Sequence, residues 1–565
     1  MVEQRTSGPS GNRVGKRYRS NRLEGPYDVI VIGSGLGGLS CASTLAKTGK
    51  KVVVLEQHYT AGGFTHTYDR NGYAWDPGVH YVGKVGHESK EKEIFDYVTD
   101  GKIRWSALDK NYDRVYLGSK QYDFYSGRKE FVNRLKAQFP EEKANIDQYM
   151  KRVATVIKRV PLVLFERFLP SMIVGVYSAF LKAVLPAYFY KSTYDVLREI
   201  TQNETLIGVL TAQWGTFGLP PRSSSFLMHC AIVDHYIGGA YYPAGGSSEI
   251  AKAIIPAIQA AGGEVFTYAR VESIVVENDR ATGVRMADGS QISAPVIVSD
   301  AGVMNTFQRL LPDSLVKKAG YEEKLRVVSP SVANISVFVG LQGDAESLNL
   351  PNRNIWIYPD EQHDKNVRDF AADQSKTPGM FISFPSSRDP EFSRSHPGRS
   401  TMMILSFIPF AAFETWNGTN WGKRGDDYEE LKSALSDRLL DALYEKLPQL
   451  KGKVDYCETG SPLTTQYYCN YQYGETYGLT HDRTRFGQHW LRPKTNIPGL
   501  YLTGQDILSC GVLPAAISGI LTAGRVLGWR SWKILKTMRK RSASGRLAGS
   551  LGESHDLGDN LIRRR

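Results

Sequence analysis

The most regular hydrophobic pattern lies near the start of the chain, where two short β-branched runs flank a segment of helical composition. Residues 27–32 (YDVIVI) and 51–55 (KVVVL) are almost continuously apolar, which is typical of strands buried on both faces of a parallel sheet. Residues 39–48 between them have helical composition and end at Gly49. The order strand, turn, helix, strand predicts an α/β fold of the Rossmann type, mixed with further α+β structure.

A glycine-rich turn joins the first predicted strand to the helix. It reads Gly33-Ser34-Gly35 and continues to Gly38. In this pattern Gly33 makes the tight turn, Gly35 admits a diphosphate, and Gly38 lets the helix pack closely on the strand. Glu56 follows the second strand, where a carboxylate accepts hydrogen bonds from a ribose 2′-OH and repels a 2′-phosphate. The unit therefore predicts a site for FAD or NAD rather than for NADP.

A second glycine pair extends this site. The stretch AGGF, which contains Gly62 and Gly63, follows Glu56 and Gln57 at the distance expected for a loop that folds back over the same diphosphate. Since a dinucleotide lies along such a backbone, we expect these residues to contact the cofactor.

The other half of the site is predicted near the end of the chain. Residues 497–506 (IPGLYLTGQD) read as a strand ending in Gly504 and Asp506, although a plain turn is the alternative. A helix then begins near Pro514, a residue suited to a first helical turn. A helix start directed at a flavin ring stabilises the negative charge of its reduced form. The residues expected beside the ring are Leu513, Pro514 and Ala515.

The longest apolar stretch, residues 168–190, contains two prolines and one lysine, Lys182. It could just span a bilayer, but these residues favour a segment that dips into a membrane surface. An ordinary buried helix pair is the alternative, because composition alone does not distinguish the two.

Charge is concentrated at the two ends of the chain. The net charge is +12, with +4 in residues 1–25 and +7 in residues 530–565, so the body is nearly neutral. This distribution argues against nucleic-acid binding. The C-terminal tail interleaves basic residues with Trp529 and Trp532, which fits an anionic membrane surface or, equally, a solvated tail.

Cysteine usage and the N-terminus exclude other classes. The five cysteines are scattered without a CxxC motif, so neither a disulfide scaffold nor a metal centre is expected. Residues 1–26 lack the apolar core of a cleavable signal peptide. We therefore expect a peripheral or monotopic membrane protein, at the endoplasmic reticulum if eukaryotic or at the inner-membrane surface if bacterial.

Longer motifs carry a family resemblance. The stretches LEQH, DPGVHYVG, DHYIGGAYYPAGGSSE, VSDAG, FPSSRD, GSPLT and LTGQD resemble the retinol saturase (all-trans-retinol 13,14-reductase) family, which belongs with phytoene desaturases and carotenoid isomerases. The resemblance implies FAD, an amine-oxidase-like fold with an interleaved substrate domain, and a retinoid or carotenoid substrate. It also implies that the backbone near Val271 meets the adenine.

Three segments depart from the usual pattern of this family. Phe64 and Thr65 stand where a cysteine pair is usual, Pro77 replaces a small or hydroxyl residue, and the segment 512–515 (VLPA) differs beside the expected flavin ring. These departures leave the identity of the polyene open.

The motifs also predict the domain boundaries. Residues 27–95, 240–305 and 455–530 are expected to form the FAD-binding domain. Residues 96–239 and 306–454 are expected to form the substrate domain, with its membrane contact at 168–190. Residues 1–26 and 531–565 are predicted to be basic tails.

Saturating a C=C bond requires a hydride on one carbon and a proton on its neighbour. We expect His80, Tyr241 or Tyr242 to assist the protonation, with Tyr81 and His235 as further candidates. Each could instead have a structural role, His80 by holding a loop and the tyrosines by shaping a turn.

Two other functions share the same fold. A carotenoid isomerase or desaturase would use the same cofactor, and a non-catalytic polyene carrier is disfavoured by the intact dinucleotide motif. No second GxGxxG unit follows a strand in the sequence. The electron source is therefore either an unidentified protein donor or an NAD or NADP molecule bound in another way.

Overall fold

A six-stranded parallel sheet forms the centre of the dinucleotide domain in the computed structural model, which describes residues 13–86, 89, 91–169 and 171–538, without the side chains of Phe168 and Ser171. The predicted strands 27–32 and 51–55 occur as Val29–Ile32 and Val52–Leu55 and are adjacent. The strand order is Lys16–Arg17, Glu264–Thr267, Val52–Leu55, Val29–Ile32, Val296–Ser299 and Leu500–Leu502. The predicted Rossmann-type α/β fold is confirmed.

Helices from distant parts of the chain cover this sheet. The helix Leu36–Ala46 is fully buried and packs against Ser248–Gln259 and Val512–Leu527. The helices Leu36–Ala46 and Val512–Leu527 approach so closely that a Cβ on Gly519 would lie 2.7 Å from the Cys41 nitrogen. A three-stranded meander, Val271–Glu277, Arg280–Met286 and Gln291–Ser293, extends the same domain.

A seven-stranded sheet forms the second domain. Its order is Val454–Gly460, Ala333–Gln342, Arg399–Ile408, Met380–Ser383, Asn354–Tyr358, Asn111–Leu117 and Lys120–Tyr125. Every neighbouring pair is antiparallel except Asn354–Tyr358 with Asn111–Leu117. A large apolar cluster joins this sheet to the helices Lys143–Phe165 and Phe226–Tyr236.

Two small sheets connect the domains. The strand Ala240–Pro243 lies between Val82–Gly83 and Trp105–Ala107, and Tyr68–Arg70 pairs with Tyr73–Trp75. The other helices are Lys92–Thr99, Arg128–Gln138, Ser171–Val184, Thr193–Arg198, Glu204–Thr211, Val303–Gln308, Asp313–Lys318, Glu322–Arg326, His363–Ala372, Pro385–Arg388, Phe392–Ser395, Asp426–Lys446, Pro462–Cys469 and Arg483–Phe486.

Two predicted domain boundaries require correction. The N-terminal segment 1–26 is not entirely a tail, because Lys16–Arg17 forms the edge strand of the parallel sheet and the Val14 side chain is buried. Residue 455 does not return to the dinucleotide domain, since Val454–Gly460 pairs with Ala333–Gln342 in the second domain. Residues 1–12 and 539–565 of the predicted tails lie outside the described residues.

The predicted apolar stretch forms the helix Ser171–Val184 and a 3₁₀ turn, Ala187–Tyr190. Among the described residues, length and composition would allow one helix, Val512–Met538, to cross a membrane. Its first half packs against Leu36–Ala46, however, with Leu513, Ala516 and Ala523 buried. Since these contacts belong to the core of the dinucleotide domain, we do not interpret that half as a membrane span.

Candidate active site

A cavity of about 680 Å³ runs through the interior between the two domains. One end is formed by the glycine turn after Val29–Ile32, and the other reaches the helix Lys143–Phe165. The space is therefore continuous from the predicted dinucleotide site to the helices of the second domain.

The glycine turn has the shape that the sequence predicts. Gly33 has a φ of +94°, and a Cβ on Gly63 would lie 3.0 Å from the Gly35 Cα, so the second loop does fold back on the first. The Gly62 N–H donates to the Ser34 Oγ at 3.1 Å. A side chain at Gly35 or Gly63 would fill this narrow space, so the glycines fit a bound diphosphate.

Two residues of the predicted dinucleotide site, Ser34 and Gly38, lie behind the cavity wall. Ser34 is fully buried and donates to the Glu56 carboxylate through its N–H, at 2.9 Å, and its Oγ, at 2.7 Å. A Cβ on Gly38 would overlap the Gly33 carbonyl oxygen, so this glycine is required for packing. Ser34 orients Glu56, and neither Ser34 nor Gly38 lines the cavity.

Glu56, Gln57 and Val271 line the cavity beside the turn, as predicted. The Glu56 Oε1 also accepts from the His58 N–H at 2.8 Å. A carboxylate oxygen has two lone pairs, so Oε1 can accept a ribose hydroxyl in addition. The three protein hydrogen bonds fix the carboxylate in place.

The C-terminal half of the predicted site lies opposite the turn. Gly504 and Asp506 line the cavity, together with the start of the helix Val512–Leu527. The Asp506 carboxylate is buried and accepts from the N–H groups of Val303, at 2.8 Å, and Leu479, at 2.9 Å. Asp506 therefore joins three chain segments. Leu513, Pro514 and Ala515 form the first turn of the helix and face the same space.

The far part of the cavity is lined by aromatic side chains, and of these the sequence analysis had singled out only Tyr81. Tyr81 stacks on Tyr236 with ring centroids 4.1 Å apart and planes at 12°. Trp356 contacts Phe381 at 4.5 Å between centroids. Other aromatic residues of this wall are Trp214, Tyr358, Phe407 and Tyr477. These aromatic residues come from separate strands and helices, so no local sequence pattern predicts that they form one wall.

His80 lines the cavity in this aromatic region. Its Nδ1 lies 3.1 Å from the Ser383 Oγ, and its carbonyl oxygen accepts from the Arg388 Nη1 at 2.5 Å. Burial is the main cause that lowers the pKa of His80 to about 3, and the neighbouring Arg388 guanidinium contributes to this shift. The imidazole is therefore neutral near pH 7.

The prediction of Tyr241 and Tyr242 as candidate proton donors requires correction, because neither residue lines the cavity. They lie on the central strand of a small sheet, where successive side chains point to opposite faces. Tyr241 packs against the core of the dinucleotide domain. Tyr242 is buried on the other face, and its hydroxyl donates to Asp76.

A buried polar network supports the His80 region and was also missed. The fully buried Asp113 accepts from Gln213 at 2.7 Å and from Asn354 at 2.9 Å, and burial raises its pKa to about 6. The Arg388 Nη1 donates to the Asn354 Oδ1 at 2.9 Å. This network links Asp113 to His80, and only the FPSSRD motif, which contains Arg388, gave any signal of it.

The fold and the dinucleotide turn together define a flavin-dependent oxidoreductase. Residues 36–527 match the flavin containing amine oxidoreductases, and the chain belongs to this family. An oxidoreductase structure from Methanosarcina mazei has the same fold, with a TM-score of 0.57 at 16% identity, over 87% of this chain and 98% of that chain.

Within the family, the most informative similarities are to polyene enzymes. The chain is 40% identical to the all-trans-retinol 13,14-reductase of Rattus norvegicus over 90% of this chain and 87% of the relative. It is 28% identical to the chloroplastic prolycopene isomerase of Daucus carota, over 88% and 80%. These findings confirm the resemblance to the retinol saturase family that the sequence motifs indicated.

Replacing Tyr242 tests its structural assignment. Because its hydroxyl donates to the buried Asp76, we expect Tyr242→Phe to lower the free energy of unfolding by about 1–3 kcal/mol and to leave turnover per bound flavin unchanged. Thermal and urea unfolding measure the first effect. Tyr241→Phe is the matched control and should change stability by less. A large loss of turnover in folded Tyr242→Phe protein would contradict the assignment.

Proposed function

We propose that this protein uses FAD to saturate a C=C bond of a retinoid, specifically the 13,14 bond of all-trans-retinol. The observation that carries the proposal is the 40% identity to a 13,14-reductase along 90% of the chain. The cavity adds support of a different kind, because it joins a dinucleotide turn to an aromatic space.

The aromatic space suits a conjugated chain. Flat rings such as those of Tyr81, Phe381 and Trp356 offer apolar faces to a polyene, and their π-electrons stabilise positive charge that develops along it. An alcohol substrate has no carbonyl next to the reduced bond, so this form of charge stabilisation is useful.

A bound reduced flavin supplies the hydride, which leaves the protein to position the polyene, exclude water and deliver a proton. His80 is the proposed delivery residue, since its Nδ1 is held by Ser383. Within the described part of the chain, its Nε2 makes no hydrogen bond. As a neutral imidazole it can pass on one proton only if it gains another from a neighbour or from water.

An isomerase remains the second candidate, because the carrot relative with 28% identity is a prolycopene isomerase. The two activities differ in atom balance. A reductase adds two hydrogens to the substrate, whereas an isomerase adds none and a desaturase removes two.

The mass of the product distinguishes these reactions. Photoreduced protein incubated anaerobically with all-trans-retinol should give a product that contains two additional hydrogens, because one C=C bond is saturated. Liquid chromatography with mass spectrometry measures the product, and protein without photoreduction is the control. A panel of carotenoids is assayed in parallel. An isomeric product of unchanged mass would overturn the reductase proposal.

Substitution of His80 tests the proton delivery. His80→Ala should reduce turnover by about 10²–10⁴-fold while the flavin remains bound, because His80 lines the aromatic region of the cavity, away from the glycine turn. His80→Gln keeps a hydrogen-bonding side chain of similar length and separates positioning from proton transfer. Flavin absorbance and anaerobic single-turnover rates are the measurements. Undiminished turnover in His80→Ala would reject the role of His80 and leave the reductase proposal intact.

The electron source is proposed to be NADH, NADPH or a protein donor. Anaerobic bleaching of the flavin by each nicotinamide, compared with photoreduction, separates direct reduction by a nucleotide from dependence on a protein partner.

We also propose that one surface of the protein binds a membrane, at the endoplasmic reticulum in a eukaryote or at the inner-membrane surface in a bacterium. On the helix Ser171–Val184, Met172 is 90% exposed and Val176 is 75% exposed. Large apolar side chains so exposed on one helix are typical of interfacial segments. The Tyr177 hydroxyl of this helix donates to the Leu162 carbonyl oxygen at 3.0 Å. Leu162 belongs to Lys143–Phe165, which lines the cavity, so the proposed membrane surface lies beside that end of the cavity.

We propose that the C-terminal aromatic residues belong to the same membrane surface. The Arg492 Nη1 donates to the Leu169 carbonyl oxygen at 3.1 Å. Burial lowers the pKa of Arg492, and the nearby Arg525 guanidinium also lowers it. Arg525 belongs to the last turn of Val512–Leu527, directly before Trp529, which is 78% exposed. Two apolar segments therefore contribute to one proposed membrane surface.

Liposome flotation tests this surface. Met172→Asp/Val176→Asp should abolish flotation at high salt, because burial of apolar side chains is insensitive to ionic strength while the attraction of basic residues is screened. Val327→Asp, at another exposed apolar residue, is the matched control and should float normally. Resistance of the wild type to alkaline carbonate would indicate a span and contradict the interfacial proposal.

A further inference from the structure

Asp300 occupies an unusual position at the dinucleotide turn. It follows the strand Val296–Ser299 at the carboxyl edge of the parallel sheet, and its N–H donates to the Ile32 carbonyl oxygen at 2.8 Å. This carbonyl belongs to the residue just before Gly33. The Asp300 side chain therefore begins beside the glycine turn and lines the cavity there.

The carboxyl group packs directly on glycine backbone. A Cβ on Gly37 would lie 2.6 Å from the Asp300 Oδ1, and a Cβ on Gly38 would lie 3.0 Å from the Oδ2. A Cβ on Gly35 or Gly504 would overlap a carboxyl oxygen outright. The glycines of this turn thus make room for an acid side chain as well as for a cofactor, and the acid sits at the start of the helix Leu36–Ala46.

The groups around this carboxyl favour its neutral form. Burial raises the pKa of Asp300 to about 8, the nearby Glu56 and Asp506 carboxylates raise it, and the Gly38 N–H lowers it. Asp300 also lies near the Cys41 thiol and the Tyr471 hydroxyl. Burial raises the pKa of both groups, and the Asp300 carboxylate raises it as well. The Cys41 thiol and the Tyr471 hydroxyl are therefore neutral near pH 7.

A diphosphate at this turn would add further negative charge. An ionised carboxylate would repel it and compete for the same N–H groups, whereas a protonated carboxyl can donate a hydrogen bond to a phosphate oxygen. We propose that Asp300 binds the FAD diphosphate as a neutral carboxylic acid, so that FAD binding at alkaline pH takes up one proton from water. The proposal rests on the FAD site at the turn and is independent of the substrate.

The affinity for FAD as a function of pH tests the proposal. For the full-length protein, Kd should be nearly constant below pH 7 and should rise about tenfold per pH unit above pH 8, reaching about thirtyfold at pH 9.5. Quenching of flavin fluorescence during titration of deflavinated protein measures Kd. Asp300→Asn, which donates a hydrogen bond at every pH, should abolish this rise. Glu249→Gln changes an acid outside the cavity and is the control, in which the rise of Kd with pH should remain.

Calorimetry provides a second measurement if Asp300→Asn does not fold. Titration of FAD into the wild type at pH 9 in two buffers of different ionisation enthalpy should show uptake of about one proton per FAD. Circular dichroism across the pH range excludes unfolding as the cause. A pH-independent Kd, an equal rise in Asp300→Asn, or no proton uptake would overturn the proposal. Failure to bind FAD at any pH would instead contradict the site itself.

Discussion

The structure depends on a close backbone contact between the N-terminal helix Leu36–Ala46 and the C-terminal segment that contains Gly504 and Gly519. A Cβ on Gly37 would lie 2.5 Å from the Gly504 Cα, and Gly519 meets the same helix one turn later through the Gly37 carbonyl oxygen and the Cys41 nitrogen. No side chain fits between these backbones. Because of this contact, the N-terminal turn and the C-terminal helix face one another across the cavity, and both halves of the dinucleotide site take part in a single packed core.

The cavity changes its chemical character along its length. At the dinucleotide end, backbone N–H groups, Glu56 and Asp300 provide polar contacts. Toward the second domain, the walls are aromatic, and burial holds the pKa of His80 and His235 at about 3. An aromatic region whose buried histidines are neutral accepts an apolar chain without leaving an unpaired histidine charge beside it. This gradient suits a cofactor with a polar and an aromatic end, with an apolar ligand beyond it.

Sequence reasoning succeeded where the signal is local and failed where it depends on distant packing. The turn at residues 33–38 and the acid at Glu56 form one contiguous pattern, so fold class and dinucleotide site could be predicted. Lys16–Arg17 is too short and too polar for its sequence to predict a strand. It forms one only because it pairs with the edge of Glu264–Thr267. The position of Tyr242 required knowledge of which face of its strand points to the cavity. The charge state of His80 required knowledge of its burial.

The order of the parallel strands has a consequence for how the protein is made. The strand Leu500–Leu502 pairs with Val296–Ser299, and Val512–Leu527 then covers Leu36–Ala46. The chain therefore has to be synthesised almost to its end before the helix Leu36–Ala46, which also packs on Ser248–Gln259, acquires its C-terminal partner. Contacts of such long sequence separation form slowly, and the early segment remains exposed meanwhile. A dinucleotide site that needs both segments is thus complete only after nearly the whole chain has been synthesised.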